Sequence, residues 1–242
     1  MVVIFELANK KIMGLNGGPM FKINPSISFF AECVSINETN EIWDKLMEGG
    51  KALMPIDKYP WSERYGWVKD KFGMTWQIML SSKKDAERKI TPSMLFTSNH
   101  FGKAEEAINY YASVFDNSFI DGITHYPKEN EHAGKIMFSM FKLNNYDMIA
   151  MDGPGVHDYT FNEAVSFVVD CDTQDEIDYY WGKLTEGGQE SQCGWLKDKF
   201  GVSWQIVPTI LAKLMSDPAK SQKTMQAFMQ MKKFDIEKLL QA

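Results

Sequence analysis

Residues 66–78 read GWVKDKFGMTWQI, and residues 194–206 read GWLKDKFGVSWQI. The two stretches agree at ten of thirteen positions, which identifies an internal repeat rather than a chance match. Two further pairs precede them in the same order: KLMEGG at 45–50 with KLTEGG at 183–188, and ISFFAEC at 27–33 with VSFVVDC at 165–171. The chain therefore contains two copies of one folding unit.

The spacing between matched positions falls from 138 residues to 128 towards the end of the repeat. The first copy therefore carries ten extra residues, around 54–61. Because insertions are best tolerated on the protein surface, we predict a surface loop at this point.

The second copy contains the full pattern of strands and helices, which we predict to run β-α-β-β-β twice. Capping-box patterns, Thr173-x-x-Glu176 and Ser35-x-x-Glu38, predict where the second helix of each copy begins. The predicted strands lie near 93–97, 118–126, 135–143, 146–151, 164–171, 193–197 and 202–207, with helices at about 104–115 and from 173.

The repeat divides the chain into three parts. Residues 1–88 form an incomplete copy that lacks its first strand, helix and strand and ends in a polar linker at 81–89. Residues 89–208 form a complete copy, and 209–242 form a tail of two or three short helices. Because the missing elements would expose a sheet edge in the first copy, we expect a second chain or the tail to cover it. We therefore expect a homodimer.

Composition excludes several classes of protein. The 242 residues are 44% apolar, which argues against disorder, and their net charge of −6 argues against nucleic acid and anionic membranes as partners. No stretch approaches the roughly 18–20 apolar residues that span a bilayer. Cys33, Cys171 and Cys193 are too few for a disulfide framework, so we expect a cytoplasmic protein.

Two motifs carry a family resemblance. The helix motif Ala104-Glu-Glu-Ala107 is followed by Tyr111 and Phe115, and the copy closes with WLKDKFGVSWQ at 195–205. In these features the chain resembles the PhnB-like branch of the vicinal-oxygen-chelate superfamily, which includes glyoxalase I and bleomycin-resistance proteins. The branch is often labelled 3-demethylubiquinone-9 3-methyltransferase. The resemblance implies an α+β fold in which paired βαβββ modules form cup-shaped mixed sheets, with a helical C-terminal tail.

The resemblance also indicates where metal ligands would lie, on the first and last strands of each module. Here the closing positions are Gln77 and Gln205, and the first strands offer only Thr, Pro, Ser and Ala. Neutral amides are weak ligands, and the four histidines lack metal-binding spacing. The acidic residues at 170–176 fit helix capping better than a cation site. We therefore predict that the chain binds no metal and no cofactor.

A binding site for a small-molecule ligand is the remaining candidate for a functional site. Gln205 alternates with Trp204, so its amide points into a cavity if helices cover the Trp side, or it satisfies neighbouring strands. Cys193 is either a nucleophile or a packed thiol, and the lack of a nearby histidine favours the packed thiol. The candidate ligand-binding residues are Gln205, Trp195, Cys193, Phe167, Asp152, Gln77 and Trp67, with Phe138 as a further aromatic wall; no catalytic residue is assigned.

These observations favour a small-molecule-binding protein of the bleomycin-resistance kind, which needs aromatic walls and no catalytic group. The alternatives are two kinds of enzyme. One is a metal-dependent lyase or dioxygenase, which requires a metal site, and the other is a methyltransferase, which requires a cofactor pocket. Glycine-rich segments at 15–19 and 152–155 lead into predicted strands, unlike a nucleotide-binding turn. Whether the chain is an enzyme stays open at this point.

Overall fold

The computed structural model describes residues 2–82 and 89–242, and the chain forms two compact units, 1–160 and 161–242. Most of the predicted linker at 81–89 lies outside the described residues. The compact units do not follow the repeat boundaries, because the complete second copy is divided between them. Within the described ranges, no helix has the length and apolar character needed to cross a membrane.

Within the described residues, the first unit contains ten strands and two helices. The strands are β1 Val2–Leu7, β2 Lys10–Leu15, β3 Ile27–Cys33, β4 Lys51–Tyr59, β5 Ser62–Lys69, β6 Thr75–Leu80, β7 Lys89–Phe96, β8 Phe119–His125, β9 Ile136–Leu143 and β10 Tyr146–Asp152. The helices are α1 Ile36–Met47 and α2 Ala104–Val114, and a 3-10 turn spans Ser98–His100. Strands β1 and β2 form a separate hairpin, and the other eight form one sheet in the order β4-β5-β6-β3-β7-β10-β9-β8.

This eight-stranded sheet joins two βαβββ modules, β3-α1-β4-β5-β6 and β7-α2-β8-β9-β10. The join is the antiparallel pair of β3 and β7, in register from Ile27 opposite Met94 to Glu32 opposite Lys89. Strand β7, the first strand of the next module, covers the edge of β3 within the same chain. The expectation that a second chain or the tail covers the edge left by the missing elements of the first copy stays a prediction, because among the described residues β1 and β2 pair only with each other.

The sheet has a helix-covered side and an opposite, concave side. On the helix side of the first module, Trp43 of α1 packs in one cluster with Val68 and Ile78. On the other side, the rings of Phe30 in β3 and Phe138 in β9 lie 5.8 Å apart, although two strands separate β3 from β9. Because neighbouring strands are about 4.8 Å apart, this contact requires the sheet to curl towards that side.

The second unit repeats the module once more and adds the tail. Its elements are β11 Phe167–Cys171, α3 Gln174–Thr185, β12 Gln189–Glu190, β13 Trp195–Lys197, β14 Ser203–Pro208, α4 Ile210–Ser216, α5 Ser221–Phe228 and α6 Ile236–Gln241. The four strands form a sheet in the order β11-β14-β13-β12. The predicted α+β class, with βαβββ modules, mixed sheets and a helical tail, is confirmed.

Equivalent local signals begin and end the matching helices α1 and α3. The Ser35 hydroxyl accepts the backbone N–H of Glu38, and Thr173 forms a complete capping box with Glu176. Just after the helices, Gly49 and Gly187 have φ values of +72° and +71°. A side chain disfavours such angles, so these glycines allow the chain to turn out of each helix.

Most of the extra residues of the first copy lie in a strand, and only residues 60–61 form a turn, so the prediction of a surface loop is wrong. Residues 54–59 belong to β4, which pairs with β5 and lengthens the edge of the sheet. In the second copy the tail occupies the corresponding place, because the carbonyls of Met231 and Lys232 accept the N–H groups of Cys193 and Gly194 at 2.7 Å. The matching strand β12 is only two residues long.

Candidate functional site

A chain of three buried polar side chains lies on the concave side of the eight-stranded sheet. The Tyr65 hydroxyl donates to Oε1 of Gln77 at 2.8 Å, and Nε2 of Gln77 donates to Oγ of Ser28 at 2.9 Å. All three residues are at most 5% exposed. Burial, and then the nearby Tyr59, raise the pKa of Tyr65 well above its ordinary value, so its hydroxyl remains a donor at neutral pH.

Two buried donors on the same side of the sheet have no hydrogen-bond partner in the part of the chain that the structure describes. Nε1 of Trp67 and Oγ of Ser93 make no hydrogen bond within the described residues. Trp67 lies directly opposite Gln77, and Ser93 lies directly opposite Ser28, so cross-strand pairing places both on the concave side. A buried donor without a partner loses its hydration without compensation, which makes each of these groups a candidate contact for a ligand.

The surroundings of these polar groups are apolar and rich in methionine. Phe30, Tyr65 and Ile149 form the centre of the cluster, and the partly buried side chains packed on it are Met54, Tyr59, Met79, Phe138, Met140 and Met151. Methionine side chains are unbranched and flexible, so such a wall can adapt to a ligand. Two shallow hollows of the molecule lie elsewhere, on the outer surface of α1 and at the turn after β5.

The second unit carries a related but shorter polar chain. Nε2 of Gln205 donates to Oγ of Ser166 at 2.8 Å, as Gln77 does to Ser28. Trp195 and Val168 lie opposite Gln205 on its two neighbouring strands and therefore share its side of the sheet. No donor from the described residues reaches Oε1 of Gln205. The structure thus supports the alternative that Gln205 satisfies a neighbouring strand, while leaving its acceptor available.

Phe167 lies on the other side of this sheet. It is paired with Trp204, and the two ring centroids are 5.3 Å apart. Side chains alternate along a strand, so Phe167 and Gln205 point in opposite directions from the sheet. The structure does not bring these two predicted ligand-binding residues together.

Cys193 occupies the position that Tyr65 holds in the first copy, but among the described residues no hydrogen bond joins it to Gln205. Its thiol lies 3.7 Å from the carbonyl oxygen of Phe228 and 3.8 Å from Sδ of Met229, both in the tail. Burial raises the pKa of the Cys193 thiol, which keeps the thiol protonated. A packed thiol describes this residue better than a nucleophile does.

The carboxylate of Asp152 binds backbone N–H groups and does not face the concave side. Its carboxylate accepts N–H groups from Gly102 at 2.7 Å, Ala104 at 3.2 Å and Ile136 at 2.9 Å. The residue is 2% exposed. Burial raises the pKa of Asp152, and the three hydrogen bonds oppose that rise without cancelling it. Asp152 therefore fixes the start of α2 and the strand β9 to the end of β10.

The residues present do not fit a divalent metal ion. The amide of Gln77 is already bonded on both sides, and its partners are hydroxyl groups rather than imidazole, thiolate or carboxylate. Across residues 2–82 and 89–242, no group of three or more His, Cys, Asp or Glu side chains is placed to hold a metal. Three of the four histidines have separate neighbours: His125 contacts Glu105, His132 contacts Glu131, and His157 contacts the carbonyl of Pro154.

A nucleotide-type cofactor does not fit the glycine-rich segments either. Residues 15–19 follow β2 and lead to β3, and residues 152–155 follow β10 and lead to β11. A phosphate-binding turn of the dinucleotide type needs a helix N-terminus immediately after the glycines, and neither segment precedes a helix.

Sequence reasoning found part of this arrangement. Gln77, Trp67 and Phe138 lie on the concave side of the first unit, and Gln205 and Trp195 share one side of the second sheet. It missed Ser93 and the methionines, and it did not link Tyr65 with Ser28. The repeated serine in ISFF and VSFV was a usable signal, because a polar residue recurs at the same register position of an apolar strand.

Comparison with known proteins agrees with this geometry. Paired βαβββ modules around a concave sheet define the vicinal-oxygen-chelate class, and glyoxalase I from Zea mays has this fold, with a TM-score of 0.55 at 14% identity over 85% of this chain and 76% of that one. The chain belongs to the family described as 3-demethylubiquinone-9 3-methyltransferase, whose model matches residues 1–79 and 88–207.

One solved member is a PhnB protein from Bacillus cereus, provisionally named a 3-demethylubiquinone-9 3-methyltransferase. It is 36% identical, with a TM-score of 0.47, over 50% of this chain and 99% of its own. No curated protein sequence matches this chain significantly.

Proposed function

We propose that this protein binds a small, mainly apolar organic molecule on the concave side of the eight-stranded sheet. The observation that carries the proposal is the Nε1 donor of Trp67, which is buried beside the amide of Gln77 and has no hydrogen-bond partner among the described residues. Over the same residues, the hydroxyl of Ser93 is a second donor without a partner on that side. A ligand that carries a carbonyl or similar acceptor satisfies such donors, and its apolar body replaces methionine contacts.

The surrounding polar chain gives the site a fixed orientation. Tyr65 and Ser28 hold both ends of the Gln77 amide, so the amide plane cannot rotate freely. The donors next to it are therefore presented in one arrangement before a ligand arrives. Such preorganisation lowers the entropy that binding loses and favours selective recognition without a catalytic group.

Matched ligand pairs test this proposal. We expect 1-tetralone, which has a carbonyl, to raise the melting temperature more than tetralin, which has the same rings without an acceptor. Trp67→Phe removes the N–H and keeps an aromatic ring, so it should weaken 1-tetralone binding by about tenfold and leave tetralin unaffected. Phe72→Leu, at an exposed position in the turn after β5, is the control. Equal binding of the two compounds, or no effect of Trp67→Phe, would contradict the proposal.

The family description favours a second candidate, methyl transfer. This activity requires a site for a methyl donor, and the glycine-rich segments do not provide one of the nucleotide-binding type. Incubation with S-adenosylmethionine and a panel of phenols, followed by mass spectrometry, tests it directly. A methylated product that forms only with the protein would establish the enzyme.

The state of the cysteines supports a cytoplasmic location as part of this proposal. None of the three cysteines forms a disulfide within the described residues, and Cys33 and Cys171 are buried. Reduced thiols are typical of a reducing compartment.

A further inference from the structure

We propose that the ligand on the concave side is an amphipathic carboxylic acid, and that its carboxylate binds to a lysine cluster formed by Lys10, Lys89 and Lys142. This inference rests on the proposed function, because it concerns the same side of the eight-stranded sheet. It adds the chemical class of the ligand. The lysine cluster lies at one end of the concave side, and the buried hydroxyl of Ser93 lies towards the other.

Strand alternation places two of these lysines on the concave side. Lys89 lies four residues before Ser93 in β7, so both side chains leave the strand in the same direction. Asp147 likewise lies two residues before Ile149 of the apolar cluster, and Lys142 lies opposite Asp147 on β9. Lys89, Lys142 and Asp147 therefore face the same side as the proposed ligand.

These two lysines share one carboxylate at the open end of the concave side. Nζ of Lys142 lies 2.6 Å from Oδ1 of Asp147, and Nζ of Lys89 lies 2.9 Å from Oδ2. The three side chains are between 19% and 32% exposed, whereas Ser93 is 1% exposed. The charged end is therefore accessible from solvent, while the end that carries the unpaired donor is buried.

Lys10 of β2 brings a third ammonium group to this end. Its Nζ lies 4.0 Å from the centroid of the Tyr146 ring, and Tyr146 is the neighbour of Asp147 in β10. Burial lowers the pKa of Lys10, Asp147 opposes this, and the positive charges of Lys89 and Lys142 add to it. Both oxygens of Asp147 already bind the other two lysines. A partly buried ammonium group beside two others favours a bound anion.

The carboxylates at this end do not cancel the positive charge of the lysine cluster. Asp147 provides one negative charge, and Glu32, which lies opposite Lys89 on β3, provides another. Three lysines and two carboxylates leave an excess of one positive charge, which matches a monoanion. Partial burial strengthens this attraction, because it lowers the effective dielectric constant around the charges.

The spacing of the two ends sets the length of the ligand. Four residues of extended strand separate Lys89 from Ser93, which corresponds to about 13 Å. Phe30 lies opposite Thr91, midway between them, and supplies an apolar surface. A ligand that contacts both ends therefore carries a hydrogen-bond acceptor and a carboxylate separated by an apolar chain. The probe 9-oxodecanoate has this pattern, with a ketone and a carboxylate near opposite ends of a saturated chain.

Calorimetric titration of the full chain with matched probes tests the inference. We expect 9-oxodecanoate to bind about tenfold more tightly than 2-decanone, which has a methyl group in place of the carboxylate. Added salt should narrow this difference, because it screens partly exposed charges. Lys10→Met should weaken 9-oxodecanoate binding about fivefold and leave 2-decanone binding unchanged. Lys11→Met, at the next and exposed position of β2, is the control and should change neither.

A second variant keeps the test decisive if circular dichroism shows that Lys10→Met does not fold. Lys89→Met removes a different ammonium group and leaves Lys142 bound to Asp147, so it should cause a similar loss of 9-oxodecanoate binding. An equal loss in Lys11→Met and in the cluster variants would overturn the inference, because general surface charge would then account for the binding.

The outcomes separate this inference from the proposed function. Equal affinities for 9-oxodecanoate and 2-decanone would overturn the carboxylate inference and leave the proposed function standing. Decanoate has the carboxylate but no ketone. If it binds as tightly as 9-oxodecanoate, the acceptor contact of the proposed function is contradicted, while binding at the lysine cluster is supported.

Discussion

The carboxylate of Asp198 accepts the indole N–H of Trp204 at 2.8 Å, and its other oxygen accepts the backbone N–H groups of Phe200 and Val202. Asp70 makes the same three bonds with Trp76, Phe72 and Met74 in the first copy. One side chain thus closes the turn and holds the following strand to it. This relationship explains why the stretch DKFGxxW occurs twice.

Removing this carboxylate should destabilise the second unit. We expect Asp198→Ala to lower the free energy of unfolding by roughly 3 kcal/mol, because it leaves buried N–H groups unpaired. Trp204→Phe keeps most of the ring and loses one hydrogen bond, so its effect should be about 1–2 kcal/mol. Urea unfolding followed by circular dichroism measures both. Equal effects of the two variants would show that the backbone bonds contribute little.

Asp152 should be as important for the first unit. Asp152→Ala leaves the N–H groups of Gly102, Ala104 and Ile136 without their acceptor, and we expect a loss of about 2–4 kcal/mol in unfolding free energy. The exposed Asp121→Ala is the matched control and should change stability by less than about 0.5 kcal/mol. Similar melting temperatures for the two variants would contradict a structural role for Asp152.

Low pH should destabilise the first unit, because it protonates the carboxylate of Asp147. Burial raises the pKa of Asp147, but hydrogen bonds from Lys142 and Lys89 outweigh it, and the net pKa is lowered. The stabilisation is therefore present above the unfolded pKa of about 3.9 and is lost as the pH falls through the lower folded value. We expect the unfolding free energy of wild type to exceed that of Asp147→Asn by about 1 kcal/mol at pH 7. This difference should disappear at acid pH.

Urea unfolding between pH 2 and pH 7 measures this difference. The exposed Asp116→Asn is the control, and we expect its unfolding free energy to differ from that of wild type by less than about 0.5 kcal/mol at pH 7. A constant gap between wild type and Asp147→Asn across the range would show that the two lysines do not stabilise the charged carboxylate.

The tail should be required for the second unit. Phe234 is 2% exposed, and its ring lies so close to Gly194 that a Cβ at that glycine would come within 2.5 Å of it. We expect Phe234→Ala to lower the unfolding free energy by about 3–5 kcal/mol. Leu240→Ala, at a tail position that is 53% exposed, should lower it by about 1 kcal/mol or less. Comparable losses would mean that Phe234 does not anchor the tail.

Metal should have no effect on stability. The hydroxyl and amide groups around Gln77 and Gln205 are poor ligands for zinc, nickel or iron. We expect purified protein to carry less than about a tenth of an equivalent of transition metal, and a chelator to leave the melting temperature unchanged. Elemental analysis with one metal per chain, lost in Gln205→Ala, would restore the metal-dependent enzyme hypothesis.

The sequence predicted local structure better than pairing between distant strands. Thr173 with Glu176, and the alternation of Trp204 with Gln205, depend only on neighbouring residues, and both appear as expected. The join between β3 and β7 depends on which free edges meet, and no local pattern encodes that. Likewise, Phe167 and Gln205 fall on opposite sides because of the register between β11 and β14, which the sequence does not display.

The adjacent residues Trp76 and Gln77 point to opposite sides of β6, and this has an evolutionary consequence. Trp76 donates a hydrogen bond to Asp70 and lies on the helix-covered side, while Gln77 belongs to the polar chain on the concave side. Substitutions on the concave side of the strand can therefore change ligand contacts while the helix-covered side keeps its structure. The two copies illustrate the outcome, since both retain the Asp–Trp bond but one places Tyr65 beside its glutamine where the other has Cys193 turned towards the tail. Divergence of ligand preference between duplicated modules then requires no change in the architecture that supports them.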